Sequence, residues 1–216
     1  MNNLSEENGE APNFLEPEDM EEDLIIEEEP LEEEEPADAI FTNGKGYVAR
    51  DDADRIFQHG FYGTRLDDGR LELEPVEILH LFERKRITVK TSSGDPIGSK
   101  DIVNGLRGMY PDLWINYLVF RDLRSRGYAV RQGFGGGIGF RVYARGNRPG
   151  AATANQLIYV LKEGDAISLH DLDMVTETAS AARKKLVFAL VDQNGEVNYY
   201  RVAQATLQDR SGDTDE

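Results

Sequence analysis

The sequence predicts an α+β protein, with a small N-terminal α+β domain followed by a C-terminal α/β domain that contains a mixed sheet. Its 216 residues suit one large domain or two small ones, and a hydrophobic content of 39% is enough for a core. Strand-forming segments alternate with helical segments after residue 40. In the C-terminal half the predicted order is helix, three strands, helix and two strands, which gives a mixed sheet packed by helices.

The N-terminal domain is predicted to contain two hairpins and three helices. The dipeptides Asn43-Gly44 and Asp68-Gly69 are turn signals of β-hairpins. The helix signals are a possible cap at Asp51 or Asp52, Pro75 in the first turn of a strongly apolar helix, and Ser99 before a short helix.

The C-terminal domain is predicted to start with a helix that begins at Pro111 and ends at Gly127. Two strands then flank the glycines at 135–137, which suit a flexible hairpin turn or, alternatively, a phosphate cradle. The chain has no GxxxxGK[ST] pattern to support the cradle. The remaining predicted elements are strands at 156–162, 185–192 and 197–202, a helix at 169–182, and a hairpin turn at Asn194-Gly195.

The net charge of −17 is concentrated at the N-terminus. Of the 41 acidic residues, 17 lie in residues 1–40, which contain no Lys or Arg, so the other 24 match the 24 basic residues. We expect residues 1–38 to form a disordered acidic tail, because they bury too little apolar surface to offset the entropy of ordering. Alternatively, the apolar island at 24–26 binds a partner's groove. The other predicted boundaries are an N-terminal domain at 39–109, a C-terminal domain at 110–207 and a disordered tail at 208–216.

The composition excludes several kinds of site. The chain has no cysteine, which excludes disulfides, cysteine-based zinc sites and thiol catalysis. No apolar run approaches the length of a membrane span, and no basic-then-apolar signal peptide opens the chain. We therefore expect no membrane association and a cytoplasmic location.

The stretch GYAVRQGFGGGIGFRVYARG resembles the C-terminal nuclease domain of archaeal tRNA-splicing endonucleases. The resemblance continues through QLIYVLKEGD, ARKKLVFALVD and NGEVNYY, and it reaches back to HGFYGTRL and PVEILHLFERKRITV, covering roughly Ala39 to Ala203. It implies cleavage of precursor tRNA without a metal or another cofactor. In that reaction a ribose 2′-hydroxyl attacks the adjacent phosphate, giving a 2′,3′-cyclic phosphate and a 5′-hydroxyl.

The resemblance also implies catalytic roles for particular positions. The family's tyrosine, the general base, falls on Tyr143, and its lysine, which stabilises the phosphate charge, falls on Lys184. Taken alone, these residues are an ordinary strand tyrosine and a solvated lysine. The family's histidine, the general acid, falls on Thr153, whose hydroxyl is too weakly acidic for that role at neutral pH. We expect His170, the nearest histidine, to be a surface or capping residue.

Three further positions depart from the family pattern. Gly139 replaces an acidic residue, Gly135 replaces a turn lysine, and Glu177 replaces an arginine that stacks on a bulged RNA base. A glutamate there repels phosphate and makes no cation–π contact. Together with Thr153, these departures indicate a site released from catalysis.

The resemblance implies assembly through the C-terminal strands and through an acidic loop that enters a basic cleft on a neighbouring subunit. The sequence DQNGE, with Asp192 and Glu196 at its ends, matches that loop, although it also suits an ordinary polar hairpin tip. We therefore predict a structural subunit that joins a catalytic paralogue in a heterotetramer acting on precursor tRNA. Two alternatives stay open: an active metal-independent lyase with a substitute acid, and an adaptor whose acidic tail recruits a partner.

Overall fold

A computed structural model of the chain describes residues 35–205, which form two five-stranded sheets accompanied by five helices. This arrangement confirms the predicted α+β class, with an N-terminal domain followed by a C-terminal one. Both predicted tails lie outside the described residues, apart from residues 35–38.

The first sheet has the strand order β3-β4-β2-β1-β5. Its strands are β1 (Ala37–Thr42), β2 (Lys45–Val48), β3 (Thr64–Arg65), β4 (Leu71–Leu73) and β5 (Ile87–Lys90). Between β1 and β2, Asn43 and Gly44 have φ angles of 52° and 76°, as a two-residue type I′ turn requires. The hairpin signal at these two residues is therefore confirmed.

The strand β1 begins at Ala37, two residues before the domain boundary that we predicted at residue 39. Ala37 is buried and pairs in parallel with Ile87 of β5. The Asp38 carboxylate accepts hydrogen bonds from Lys90 and Thr88, and the bond from Lys90 lowers its pKa. Ala37 and Asp38 resemble the tail in composition, but their backbone belongs to the sheet.

Five helices pack on the sheets: α1 (Arg50–Gln58), α2 (Pro75–Glu83), α3 (Ser99–Met109), α4 (Leu113–Ser125) and α5 (Leu169–Ala181). Pro75 occupies the first turn of α2, as predicted. Asp51 and Asp52 lie in the first turn of α1 and do not cap it, because the N-cap is Ala49. None of the described helices is long and apolar enough to cross a membrane.

The second sheet has the strand order β10-β9-β8-β7-β6. Its strands are β6 (Val130–Gly135), β7 (Ile138–Val142), β8 (Gln156–Lys162), β9 (Lys185–Val191) and β10 (Val197–Val202). The strands β8 and β9 are parallel and are joined through α5, whereas the other pairs are antiparallel. One end of the sheet therefore carries the β6–β7 turn, the end of β8 and the β9–β10 hairpin. The other end carries the end of β7 and the beginnings of β8 and β9.

A single hydrophobic cluster extends from the first sheet into the second. Within it, the ring of His80 on α2 lies 5.8 Å from that of Tyr62 and 5.5 Å from that of Phe120 on α4. The Phe120 ring in turn lies 5.9 Å from that of Phe140 on β7. These ring contacts join α2, which packs on the first sheet, to α4, which packs on the second.

The buried imidazole of His80 predicts a loss of stability in acid. His80 is 2% exposed, and its Nδ1 has no hydrogen-bond partner among the described residues. Burial, helped by the positive charges of Arg84, Arg124 and Arg121, lowers the pKa of His80 from 6.5 to about 3. Between these values the unfolded chain binds a proton that the folded chain does not. The contribution of neutral His80 to the free energy of unfolding is therefore complete above pH 6.5 and is lost as the pH falls below that value.

Urea unfolding of the native chain and of His80→Phe, from about pH 7 to about pH 4, tests this dependence. The phenyl ring keeps the aromatic packing and removes the titration. We expect the free energy of unfolding to fall less steeply with acidification in the variant. Equal slopes in the two proteins would show that His80 does not control the acid sensitivity.

Candidate functional site

Tyr143 directly follows β7 and is 7% exposed. Its backbone N–H donates a 3.0 Å hydrogen bond to the carbonyl of Ala129. The side chain belongs to a small buried cluster with Ala129 and Ala154, against which Phe61 packs. The position predicted for the general base is therefore fixed by packing from several sides.

An open cleft lies between the two sheets beside Tyr143, and we call it the inter-sheet cleft. Its lining residues are Phe57, Thr64, Arg65, Glu74, Glu77, Arg131, Gln132, Arg141, Tyr143, Pro149 and Gly150. Arg131 and Arg141 stand directly opposite each other on β6 and β7, a like-charge pair that is unfavourable unless an anion lies nearby. Two carboxylates, Glu74 and Glu77, also line the cleft.

A buried polar contact, which we call the Gly63 clamp, joins the two sides of this cleft. The Gly63 N–H donates a 3.0 Å hydrogen bond to Glu77 of α2, and its carbonyl accepts one from Arg131 of β6. The Arg131 guanidinium also lies 4.0 Å from the Glu77 carboxylate. Burial raises the pKa of Glu77 and lowers that of Arg131, while their mutual attraction opposes both changes.

Lys184 lies in the turn that connects α5 to β9. The N–H groups of Arg183 and Lys184 donate 2.9 Å hydrogen bonds to the carbonyls of Ser180 and Ala179, which together form a Schellman motif. Arg183 occupies its left-handed position with a φ of 53°, where glycine is preferred and where a side chain costs roughly 1–2 kcal/mol. The Lys184 ammonium donates to the carbonyl of Ala154.

A second open cavity surrounds Lys184, and we call it the Lys184 depression. Its lining residues are Thr153, Ala154, Asn155, Thr176, Ala179, Ser180, Ala182, Arg183, Lys184, Lys185, Leu186, Arg201, Val202, Ala203 and Gln204. Four of these residues are cationic, and none of the described lining residues is acidic. Thr153 is exposed at this cavity.

Tyr143 and Lys184 both contact Ala154, but they line different cavities. Tyr143 packs on Ala154, and Lys184 binds the carbonyl of Ala154, so the segment after Thr153 lies between them. Tyr143 lines the inter-sheet cleft, whereas Thr153 and Lys184 line the Lys184 depression. The three positions therefore do not share one cavity.

No histidine among the described residues lines either cavity. His170 is exposed in the first turn of α5, as predicted, and Lys184 follows the last turn of this 13-residue helix. The rise of an α-helix puts them about 20 Å apart. The described residues also contain no group of three or more His, Asp or Glu side chains that could hold a metal ion.

The three further departures from the family pattern have different surroundings. A Cβ atom at Gly139 would lie 3.0 Å from Val160 Cγ2, so an acidic side chain there requires Val160 to move. Gly135, the last residue of β6, is exposed and has a φ of 92°, a conformation that a lysine would adopt only with strain. Glu177 is exposed on α5.

The Asp192 N–H donates a 3.0 Å hydrogen bond to the Glu196 carbonyl, so the β9–β10 hairpin has a three-residue loop, 193–195. The Asn194-Gly195 signal favours a two-residue turn instead. The left-handed residue is Gly195, with a φ of 83°. The Asp192 carboxylate accepts hydrogen bonds from the N–H groups of Asn194 and Glu196, at 2.8 and 2.9 Å. The Glu163 carboxylate, at the end of β8, accepts one from Gln193 at 3.0 Å. Asp192 therefore holds the turn, and Glu196 is left exposed beside it.

Sequence reasoning did not find Arg131, Arg141 or Glu77. The two arginines could have been found from the hairpin itself, because they lie at opposed positions on strands flanking the glycine turn. A helix that begins at Pro75 places Glu77 in its first turn, where acidic residues are favoured, but no pattern in the sequence indicates that Glu77 is buried.

The left-handed conformation of Arg183 predicts that glycine is the more stable residue at this position. Relief of the backbone strain outweighs the extra entropy of an unfolded glycine, so Arg183→Gly should raise the free energy of unfolding by about 0.5 kcal/mol. The control is Arg107→Gly, at an exposed position of α3, which should lower it by about 1 kcal/mol. Equal destabilisation of both variants in urea would contradict the strain at Arg183.

Comparison with known families accounts for both halves of the described chain. Residues 37–103 match the family described as tRNA intron endonuclease, N-terminal domain. Residues 113–199 match the family described as tRNA intron endonuclease, catalytic C-terminal domain.

The chain is also similar to proteins named tRNA-splicing endonuclease in several organisms. It is 35% identical over 152 residues to that of Methanothermobacter thermautotrophicus, covering 69% of this chain and 86% of the relative. It is 32% identical over 159 residues to that of Thermococcus kodakarensis, covering 69% and 92%. The match to that of Methanococcoides burtonii, 33% identical over 153 residues, covers 71% of this chain and 42% of the relative. From the two domain matches and these similarities, the chain belongs to the tRNA intron endonuclease family.

Proposed function

We propose that this chain is a subunit of a tRNA-splicing endonuclease that removes introns from precursor tRNA at bulge-helix-bulge sites. Its role in that enzyme is structural, and a catalytic paralogue supplies the complete active site. The observation that carries this proposal is Thr153 at the position of the family's histidine, with no histidine lining either cavity of the described chain.

The chemistry explains why this one position decides the role. The attacking 2′-oxygen must lose its proton to a base, and the leaving 5′-oxygen must gain one as its bond to phosphorus breaks. Tyr143 and Lys184 have the side chains for the base and for the cation that stabilises the phosphate. Thr153 cannot supply the second proton, and loss of a general acid costs about 10²–10⁴ in rate.

A second candidate is an active lyase of the same family. It is favoured by the contacts of Tyr143 and Lys184 with Ala154, which keep two of the three family positions close together. The adaptor alternative depends on the acidic tail, most of which lies outside the described residues.

Assembly is supported by the geometry of the β9–β10 hairpin. Three carboxylates stand at this end of the second sheet, and two of them, Asp192 and Glu163, are used to hold the loop. A loop fixed in this way loses little entropy when it docks. Glu196 remains exposed and is the carboxylate that we assign to the partner's basic cleft.

The inter-sheet cleft has the chemistry to receive such a loop. Arg131 already donates to the Gly63 carbonyl and lies 4.0 Å from Glu77. Arg141, directly opposite it on β7, is therefore the arginine of the pair that a docking carboxylate would bind. The chain thus carries both an acidic hairpin and an arginine-lined cleft. Its hairpin can dock into a paralogous partner, and its cleft can receive the partner's hairpin.

Cleavage of a bulge-helix-bulge RNA tests the structural role directly. We expect the purified chain to produce little or no product alone, because Thr153 replaces the general acid and Glu177 replaces the base-stacking arginine. It should support cleavage when the catalytic paralogue is added. Thr153→His should restore little activity by itself, since Gly139, Gly135 and Glu177 remain. Efficient metal-independent cleavage by the native chain alone would establish the active-lyase alternative.

A charge reversal at Glu196 tests the assembly surface. Glu196→Lys should weaken association with the partner on the order of 100-fold, because it sets like charges against the basic cleft. Light scattering should show smaller species, with unchanged circular dichroism. Asp95→Lys, at an exposed turn of the first sheet, makes the same change of charge and should assemble normally.

Asp192 should be kept intact in this experiment. Its carboxylate binds two N–H groups of the turn, so a lysine there changes the loop as well as its charge. Normal assembly of the Glu196→Lys variant would show that the hairpin is only a surface turn.

A further inference from the structure

We infer that the end of the second sheet that carries the β9–β10 hairpin is an apolar docking surface for the catalytic paralogue, with Trp114 as its anchor. The surface, which we call the apolar collar, consists of Trp114, Phe134 and Leu169 around the hairpin. This inference rests on the proposed function and deepens it, because it adds an apolar contact to the charged contact that we assign to Glu196.

The three side chains of the apolar collar are unusually exposed for their size. Trp114 is 58% exposed, Phe134 is 55% exposed and Leu169 is 84% exposed. They are half of the six large apolar side chains that are exposed among the described residues. A group of exposed apolar side chains beside polar ones is typical of a protein interface, and tryptophan is enriched among the residues that dominate binding energy.

The direction of α4 places Trp114 at the hairpin end of the sheet. The Tyr199 hydroxyl, in the middle of β10, donates a 2.7 Å hydrogen bond to Asp122 of α4. One turn earlier on the helix, Leu118 Cδ1 lies 3.4 Å from the position that a Cβ of Gly195 would take. Moving from Asp122 to Leu118 along α4 therefore leads towards the hairpin. Trp114 lies one further turn in this direction, about 6 Å along the helix axis.

The other two members of the apolar collar reach this end through different elements. Phe134 is the second-last residue of β6, beside the β6–β7 turn. Leu169 is the first residue of α5, which follows the end of β8 and runs back to the beginning of β9. The end of β8 lies beside the hairpin, where Gln193 donates to Glu163, so the start of α5 lies there too.

The indole of Trp114 is held in place before any partner binds. Its ring lies 5.6 Å from the ring of Tyr117, which is buried one turn further along α4. One side of the indole is supported in this way, and the rest of it remains exposed. An aromatic side chain that is already ordered loses little entropy when a partner covers it.

The charges beside the apolar collar favour a protein partner with a basic cleft. The nearby carboxylates, which repel the phosphates of RNA, are those of Glu163, Asp192 and Glu196. In this chain the inter-sheet cleft combines Arg141 with the apolar ring of Phe57. An equivalent cleft on a paralogue offers a cation to the hairpin and apolar surface to the collar. The occupant is the catalytic paralogue because the proposed enzyme requires a chain that supplies the general acid.

Trp114 is the single tryptophan of the sequence, and this permits a direct test. The full chain is produced with 5-hydroxytryptophan, whose fluorescence is excited apart from that of ordinary tryptophan in the partner. The partner is the paralogue from the same organism that carries a histidine at the position of Thr153. Light scattering measures assembly while acrylamide quenching measures exposure. We expect quenching to fall several-fold on assembly, because the indole becomes covered.

Substitutions in the apolar collar test its contribution to affinity. Trp114→Ala should weaken association with the paralogue at least about 30-fold, as loss of a central aromatic anchor does, and Trp114→Phe should recover part of this loss. Leu169→Ala should weaken association about fivefold. The matched control is Met174→Ala, also exposed but more than one turn further along α5, which should change association less than about twofold. Circular dichroism checks that each variant is folded.

The possible outcomes separate this inference from the proposed function. Assembly without protection of Trp114, or equal effects of Trp114→Ala and Met174→Ala, would overturn the apolar collar and leave the structural-subunit proposal in place. Absence of any assembly with the paralogue would overturn both. Protection of Trp114 in the chain alone at rising concentration would identify a second copy as the occupant. Protection by a 2′-deoxy-substituted bulge-helix-bulge RNA alone would identify RNA, and either result would overturn the paralogue as occupant.

Discussion

The peptide groups on either side of Gly63 hold the two halves of this protein in a fixed relation. Glu77 binds the N–H from one side and Arg131 binds the carbonyl from the other, so one residue links α2 of the first half to β6 of the second. A Cβ at this position would lie 2.6 Å from Leu71 Cγ, which excludes every residue except glycine without repacking. Because Glu77 is 3% exposed, loss of its partners would leave a buried acidic group with few hydrogen bonds, a costly arrangement.

The second sheet separates charge along its strands. Its hairpin end carries the carboxylates of Glu163, Asp192 and Glu196, and the opposite end carries the cations of the Lys184 depression. Strand direction explains this, because the parallel pair β8–β9 places both strand ends at one edge and both strand beginnings at the other. The charges named at the two ends of the sheet are therefore opposite in sign.

Local signals in the sequence were sufficient for most of the secondary structure. Asn43-Gly44 specified a hairpin turn, and Pro75 specified the beginning of α2. Gly127, with a φ of 79°, specified the end of α4. Each of these features depends on the backbone of only a few residues. The beginning of β1 could not be found in this way. Ala37 gains its place by pairing with a strand 50 residues later, a contact that composition does not reveal.

The candidate site was only partly predictable for a similar reason. The family resemblance pointed to Tyr143, Thr153 and Lys184, but it could not show that Tyr143 lines a different cavity from the other two. The hydrogen bonds of Asp192 could not be predicted from the sequence either. An acidic side chain beside a turn can point to solvent or can accept hydrogen bonds from N–H groups of the turn. In the structure the Asp192 carboxylate accepts hydrogen bonds from the N–H groups of Asn194 and Glu196.

The crossover from β8 through α5 to β9 determines when during folding the Lys184 depression can form. Thr153 precedes β8 and Lys184 precedes β9, the two strands of the parallel pair. The two residues therefore come together only after α5, which lies between them in the chain, has packed onto the sheet. The same constraint applies to β1, which can pair in parallel with β5 only after the chain between them has been brought back to the sheet. Contacts between distant parts of a chain require the closure of long loops and form slowly. The most local elements, the hairpins and α4, are therefore expected to appear early, and the cationic cavity is among the last features that the folding chain acquires.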